Sequence, residues 1–152
     1  MNLVLFGPPG AGKGTQAQSV CQNYGLGHLA TGNLFRTHIS NETPLGLRVK
    51  SILDSGELVP DSIVLDMVKE EIQKDDFKNG VVFDGFPRTV AQAEGLEEVL
   101  QNIGLTIDAF IMLDVPEEVL VQRLLSRGEG RSDDTEEKIT HRLEVYRKET
   151  SP

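Results

Sequence analysis

The 152 residues contain a single cysteine, Cys21, so no intrachain disulfide can form, and one thiol cannot assemble a cysteine-based zinc site. No apolar run approaches the roughly 20 residues a membrane-spanning helix needs, which removes the membrane as a partner by that route. No charged segment leading into an apolar one precedes the first motif, and with a lone thiol the expected compartment is the cytosol. Positive charge is scarce: 15 Lys and Arg stand against 24 Asp and Glu, a formal net charge of −9. A long track for nucleic-acid phosphates is therefore not expected, and any phosphate chemistry must be local. Internal repeats and low-complexity linkers are also missing.

The composition that remains, 38% hydrophobic and 26% charged, is that of one globular domain with a real core. Three short apolar runs, at 3–6, 81–83 and 110–113, are each followed by a turn and a helix-like segment, the pattern of buried parallel strands. Helical pieces are expected at 15–24, 32–40, 44–54, 60–74, 89–102, 116–126 and 134–148. Several carry start signals, such as Pro60 with Asp61 and Pro116 with Glu117 and Glu118. The fold class is thus α/β: a parallel sheet between helices, joined by right-handed crossovers. More than seventy residues separate the first two runs, too many for one crossover helix. The segment 31–60 therefore reads as a small helical insertion on a core formed by 1–30 and 61–152.

The first run drops into Gly7-Pro8-Pro9-Gly10-Ala11-Gly12-Lys13-Gly14-Thr15 and then into a helix. A strand, a glycine-rich turn, a lysine and a helix form a P-loop. Backbone N–H groups and the helix N-terminus face phosphate oxygens, and Lys13 reaches the β- and γ-phosphates. Gly14 stands where a Ser or Thr usually follows the lysine, and the hydroxyl comes one residue later at Thr15. The magnesium ion is then expected to be held by nucleotide phosphates and water rather than by a direct hydroxyl ligand.

Three further clusters carry charge and amides. In GVVFDGFPRTVAQAE, Asp84 follows the second run, where a carboxylate can face the metal's waters. Gly85 permits close approach, Arg88 offers a planar fork, and Gln92 an amide for a base edge; a capped helix with a surface arginine is the alternative. In LATGNLFR, Thr31 and Gly32 open a helix with Arg36 one turn in, a setting suited to a monophosphate. Further on, Arg123 and Arg127 are spaced i,i+4, Arg131 follows Gly128-Glu129-Gly130, and Arg142 lies on the next helix. A solvated helix pair balanced by Asp133, Asp134, Glu136 and Glu137 is the plainer reading of that stretch. Six of the eight arginines fall in these clusters, so positive charge is expected in one cleft. His28, His38 and His141 have no metal-like spacing and read as surface or packing residues.

Taken together, GPPGAGKGT, TGNLFR, GELVPD, DGFPRT followed by AQ, DVPEEVLVQR and RSDDTEEKITHRLEVY resemble, in order and along essentially the whole chain, the adenylate kinases, a family of P-loop nucleoside monophosphate kinases. The resemblance implies that Gly10, Ala11, Gly12, Lys13, Gly14 and Thr15 cradle the phosphates of ATP, with Arg123 on its adenine and Arg127 beside it. It implies that Thr31, Arg36, Gly85, Arg88 and Gln92 bind AMP, with the backbone of Glu57, Leu58 and Val59 and with Arg131 and Arg142. Lys13, Arg88, Arg127, Arg131 and Arg142 surround the migrating phosphoryl group, and Asp84 orients a hydrated Mg²⁺ near Thr15. The implied reaction is ATP + AMP ⇌ 2 ADP, in a monomer that takes neither nucleic acid nor membrane as partner.

Thr31 and Gln92 fit an adenine acceptor better than UMP or CMP, and the site is expected to close against water before transfer. The chain departs from the family pattern in three places. Asn33 replaces the Asp that often follows TG, removing a charge beside the acceptor. The lid is reduced to 127–131, a form without structural zinc. The chain also stops before a further strand and helix that family members carry, as a fragment or as a chain lacking that edge, with weaker ATP binding expected. The rival readings are a nucleotide-binding module without turnover, another nucleoside monophosphate kinase, and a small-molecule kinase such as one for shikimate or gluconate.

Overall fold

The computed structural model describes residues 1–126 and 136–150. Arg127, Arg131, the short lid loop and the acidic pair Asp133-Asp134 lie outside the described residues. The elements run β1 (Asn2–Phe6), α1 (Lys13–Tyr24), β2 (Gly27–Ala30), α2 (Thr31–Ser40), α3 (Pro44–Asp54) and α4 (Asp61–Glu71). A 3-10 turn at Asp75–Phe77 leads to β3 (Val81–Asp84), α5 (Val90–Asn102), β4 (Ala109–Met112), α6 (Glu117–Leu125) and α7 (Glu136–Val145), which continues into a π-helical turn at Tyr146–Thr150.

The strands form one four-stranded sheet in the order β2-β3-β1-β4, with every pairing parallel. The α/β class with a parallel sheet is therefore what the chain adopts. One strand was not expected: β2 carries Gly27-His28-Leu29-Ala30, too short and too mixed to read as an apolar run. It exists because its backbone pairs with β3, Gly27 opposite Val81 and Leu29 opposite Phe83. Helix limits shift by a residue or more at several ends, as α4 closes at Glu71 rather than running to residue 74.

The chain divides into two compact units. The first comprises Met1–Gly7, Gly12–Thr31 and Pro60–Leu113, and so holds the sheet, α1, α4 and α5. Its core has Leu3 and Leu5 of β1, Ala17 of α1 and Val82 of β3 at the centre, with Val20, Cys21 and Leu26 packed against them. Each fully buried aliphatic side chain of this kind stabilises the fold by about 1.5–3 kcal/mol. Phe83 and Phe86 add a tilted ring pair with centroids 6.2 Å apart. At one end of the sheet, β4 pairs among the described residues only with β1, and all four of its residues are exposed, Phe110 at 65% and Met112 at 60%.

The second unit comprises Pro8–Ala11, Gly32–Val59 and the described residues from Asp114 onward. Thr43 starts α3 by accepting from the Gly46 N–H at 3.0 Å, with Pro44 in the first helical turn, a cap worth about 1 kcal/mol. Glu117 and Glu118 lie in the first turn of α6, where the helix dipole favours negative charge. α6 packs on α7, and Leu120, Leu124, Ile139 and Leu143 are buried.

Leu29 is the buried residue of β2, 1% exposed. Leu29→Ala is expected to lower stability by about 2–5 kcal/mol. Urea unfolding should show this as a lower midpoint with an unchanged slope. A midpoint equal to that of the parent chain would mean β2 contributes no packing.

Candidate active site

In the first unit, register brings the sequence-predicted residues together. Asp84, the last residue of β3, lies opposite Leu5 on one side and Ala30 on the other. The chain leaves β1 for Gly7, β2 for Thr31 and β3 for Gly85 at the same, carboxyl end of the sheet, where parallel sheets place their ligands. Lys13, the first residue of α1, donates from Nζ to the Gly7 carbonyl at 3.0 Å. The Asp84 carboxylate reaches the first turn of α1, its Oδ2 being 3.7 Å from where a Cβ at Gly14 would stand. Thr15 lies in that same turn and is exposed.

The Gly85 carbonyl accepts two hydrogen bonds, from Thr31 Oγ1 at 3.2 Å and from Arg88 Nε at 2.6 Å. It thereby ties together two side chains expected to meet the acceptor. Gln92 is 2% exposed and its amide is engaged at both ends. Oε1 accepts from the Arg88 N–H at 2.8 Å and Nε2 donates to Asp61 Oδ1 at 2.9 Å. Facing a nucleobase would require Gln92 to exchange one of these bonds. Thr89 caps α5 by accepting from the Gln92 N–H, and also donates to Asp61 Oδ1 at 3.0 Å.

Two of these partners were not read from the sequence. Asp61 was expected only as a helix-start residue, yet it is the acceptor that locks Gln92 and Thr89. His28 was assigned to surface or packing, yet its Nε2 lies 2.9 Å from Asp84 Oδ2. Both contacts span dozens of residues in sequence, so no local spacing announces them. The carboxylate also acts on α1: burial first, and the negative charge of Asp84 second, push the Cys21 thiol above its ordinary pKa.

In the second unit, Gly10 adopts φ +83° and approaches α6 closely; a Cβ there would stand 3.1 Å from the Leu120 carbonyl and from Leu124 Cγ. Gly12, which belongs to the first unit, has φ +93° and gives α1 its left-handed entry without any side-chain cap. The Gly10 carbonyl accepts a long bond, 3.4 Å, from Arg123 Nη1, so the arginine expected at the adenine lies against the loop. Arg36 folds back over Gly32, its Nη1 3.2 Å from an ideal Cβ position, and donates to Asn33 Oδ1. Asn33 thus acts as an i,i+3 partner for Arg36. Val59 is buried, while Glu57 is exposed and paired with His141. His38 Nδ1 is 2.9 Å from Thr43 Oγ1. Among the described residues, no group of three or more His, Cys, Asp or Glu side chains could hold a metal ion, and no helix is long and apolar enough to cross a membrane.

Gln92→Leu removes the donor to Asp61 and the acceptor of the Arg88 N–H, and is expected to cost about 1–3 kcal/mol, read by thermal unfolding. An unchanged melting temperature would show that water replaces both bonds. Because the folded-state pKa of Cys21 is raised, the stability contributed by its neutral thiol is complete below the ordinary thiol pKa and is lost as pH rises through the raised one. Alkylation of Cys21 by iodoacetamide should accordingly turn on at higher pH in the folded chain than in urea; coincident profiles would contradict this.

Comparison with known proteins is consistent along the whole chain. A family model described as adenylate kinase matches residues 5–152. An adenylate kinase of Rhodococcus erythropolis is 50% identical over 152 residues, which span 100% of this chain and 83% of that protein. That of Clostridium tetani is 44% identical over 181 aligned positions, covering 100% of this chain and 84% of its own. That of Bacillus subtilis is 45% identical over 181 positions, with 100% and 83% covered. With a P-loop opening a parallel α/β sheet and a match of this extent, the chain belongs to the adenylate kinase family.

Proposed function

We propose that the chain transfers the γ-phosphoryl group of ATP to AMP, reversibly and with Mg²⁺, to give two ADP. The observation that carries the reading is the grouping at one end of the sheet. Lys13 opens α1, whose first turn the Asp84 carboxylate reaches at Gly14, and Thr31 and Arg88 meet on the Gly85 carbonyl. Phosphoryl transfer asks little covalent chemistry of a protein; positioning and charge neutralisation supply most of the rate. A lysine, arginines and a single carboxylate are the groups that such a reaction uses.

Each residue has a role in this reading. The backbone from Gly10 to Thr15 receives the ATP phosphates, and Lys13 neutralises charge on the β- and γ-phosphates. Arg123 covers the adenine of the donor. Thr31, Arg36, Gly85, Arg88, Gln92 and the backbone of 57–59 receive AMP. Arg88 and Arg142, with Arg127 and Arg131, hold the transferring group. We assign these roles to segment 31–60 as acceptor insertion and 127–131 as short lid, on a core of 1–30 and 61–152. The donor set suits a magnesium ion held chiefly by phosphates and water: Mg²⁺ keeps several waters and takes one or two carboxylates, and Asp84 is the carboxylate in reach of the α1 first turn. When bound, the ion would neutralise phosphate charge. The protein acts as a monomer on free nucleotides in the cytoplasm.

A coupled assay with ATP, AMP and Mg²⁺ tests this. The parent chain should turn over and stop on chelation by EDTA, and Lys13→Ala should lower kcat by about 10²- to 10³-fold. Among AMP, UMP, CMP and GMP, AMP should give the highest kcat/KM. A folded parent chain that binds nucleotide without turnover would replace the enzyme by a binding module, and a higher value for UMP or CMP would change the acceptor.

A further inference from the structure

Within the second unit, two consecutive residues of α7 grip one turn of the acceptor insertion. His141 Nε2 is bonded to Glu57 Oε1. Arg142 lies against the preceding residue: Gly56 has φ +80°, and a Cβ there would stand 2.8 Å from Arg142 Cγ. The absence of a side chain at Gly56 is what lets the arginine stem come so near. Consecutive helical residues diverge by about 100° around the axis, so His141 and Arg142 reach the turn in different directions. On the Ser55 side, an open cavity of about 900 Å³ lined by Ser55, Glu137, Lys138, Thr140, His141 and Glu144 separates the turn from α7. Among the described residues, the turn is held to α7 by this polar pair and by the contact of Gly56 with the Arg142 stem.

We propose that His141 is a positioning residue for the acceptor. Its bond to Glu57 docks 56–59 onto α7, so the backbone that receives the monophosphate nucleotide and the Arg142 side chain that meets the phosphoryl group share one frame. The proposal rests on the acceptor assignment of 57–59 above. Around the pair, Glu137, Lys138 and Glu144 of α7 line the cavity together with His141, and the Arg142 stem lies against Gly56. The pair is half exposed, with side-chain exposures of 40% for His141 and 52% for Glu57, so its effect on binding is modest and specific.

The test is a double-mutant cycle on the full chain with His141→Ala, Glu57→Ala and the double variant, together with His141→Lys. Each single change should raise KM for AMP about two- to fivefold, leaving KM for ATP unchanged. The double variant should be no worse than either single one, and His141→Lys, which keeps a nitrogen donor in reach of Glu57, should recover the parent value. Amide hydrogen exchange across 52–60 should quicken in the alanine variants and stay unchanged in β1 and β3. Turnover by the parent chain with additive effects, or with KM for both substrates moving together, would overturn the positioning role while leaving the kinase reading intact. A parent chain without turnover would sink the kinase reading instead, and unchanged exchange across 52–60 would then overturn the docking by itself.

Discussion

The register of three parallel strands is the constraint from which the first unit's site follows. With Leu5 and Ala30 both opposite Asp84, β2 and β3 end level and β1 runs one residue further to Phe6, so Gly7, Thr31 and Gly85 all leave the sheet at the same end. A slip of one residue would invert every side chain of the shifted strand, turning Asp84 to the opposite face. Burial favours this register: Leu3 and Leu5 share a core with Ala17 and Val82, and a one-residue slip of β1 would turn Leu3 and Leu5 out of it. The same packing that stabilises the fold thereby aims the carboxylate.

Around this end of the sheet, backbone carbonyls and one half-buried carboxylate do most of the orienting. Gly85 holds Thr31 and Arg88 through a single oxygen, and Asp61 holds Thr89 and Gln92 through another. Each donor is anchored to a group that is itself fixed by a strand or a helix cap, so little is left to rotamer freedom. Charge-stabilising sites gain from such preorganisation, because dipoles already in place need not be turned when charge develops.

Much of this was legible in the sequence because it is local. A glycine-rich turn between a strand and a helix, an aspartate just after an apolar run, and prolines with acidic residues at helix starts are all written within a few neighbouring residues. β2 was not legible, since Gly27-His28-Leu29-Ala30 has neither an apolar run nor clean alternation, and its strand character comes from β3. The partners of the site residues were hidden for a related reason. His28 with Asp84, Gln92 with Asp61 and His141 with Glu57 are meetings of distant segments that only the fold brings about. Asn33 was recognised as a departure in charge, but its bond to Arg36 needed the helix to be seen in place.

The bond from Lys13 to the Gly7 carbonyl has a thermodynamic meaning of its own. An ammonium that already has an oxygen partner loses that partner when it turns to a phosphate, so the gain on binding is the difference between two charge-assisted contacts rather than the whole of one. The loop thus supplies its own competitor for the anion. Such a competitor trims ground-state affinity, and it lets the lysine favour whichever phosphate arrangement carries more negative charge than a neutral carbonyl can match.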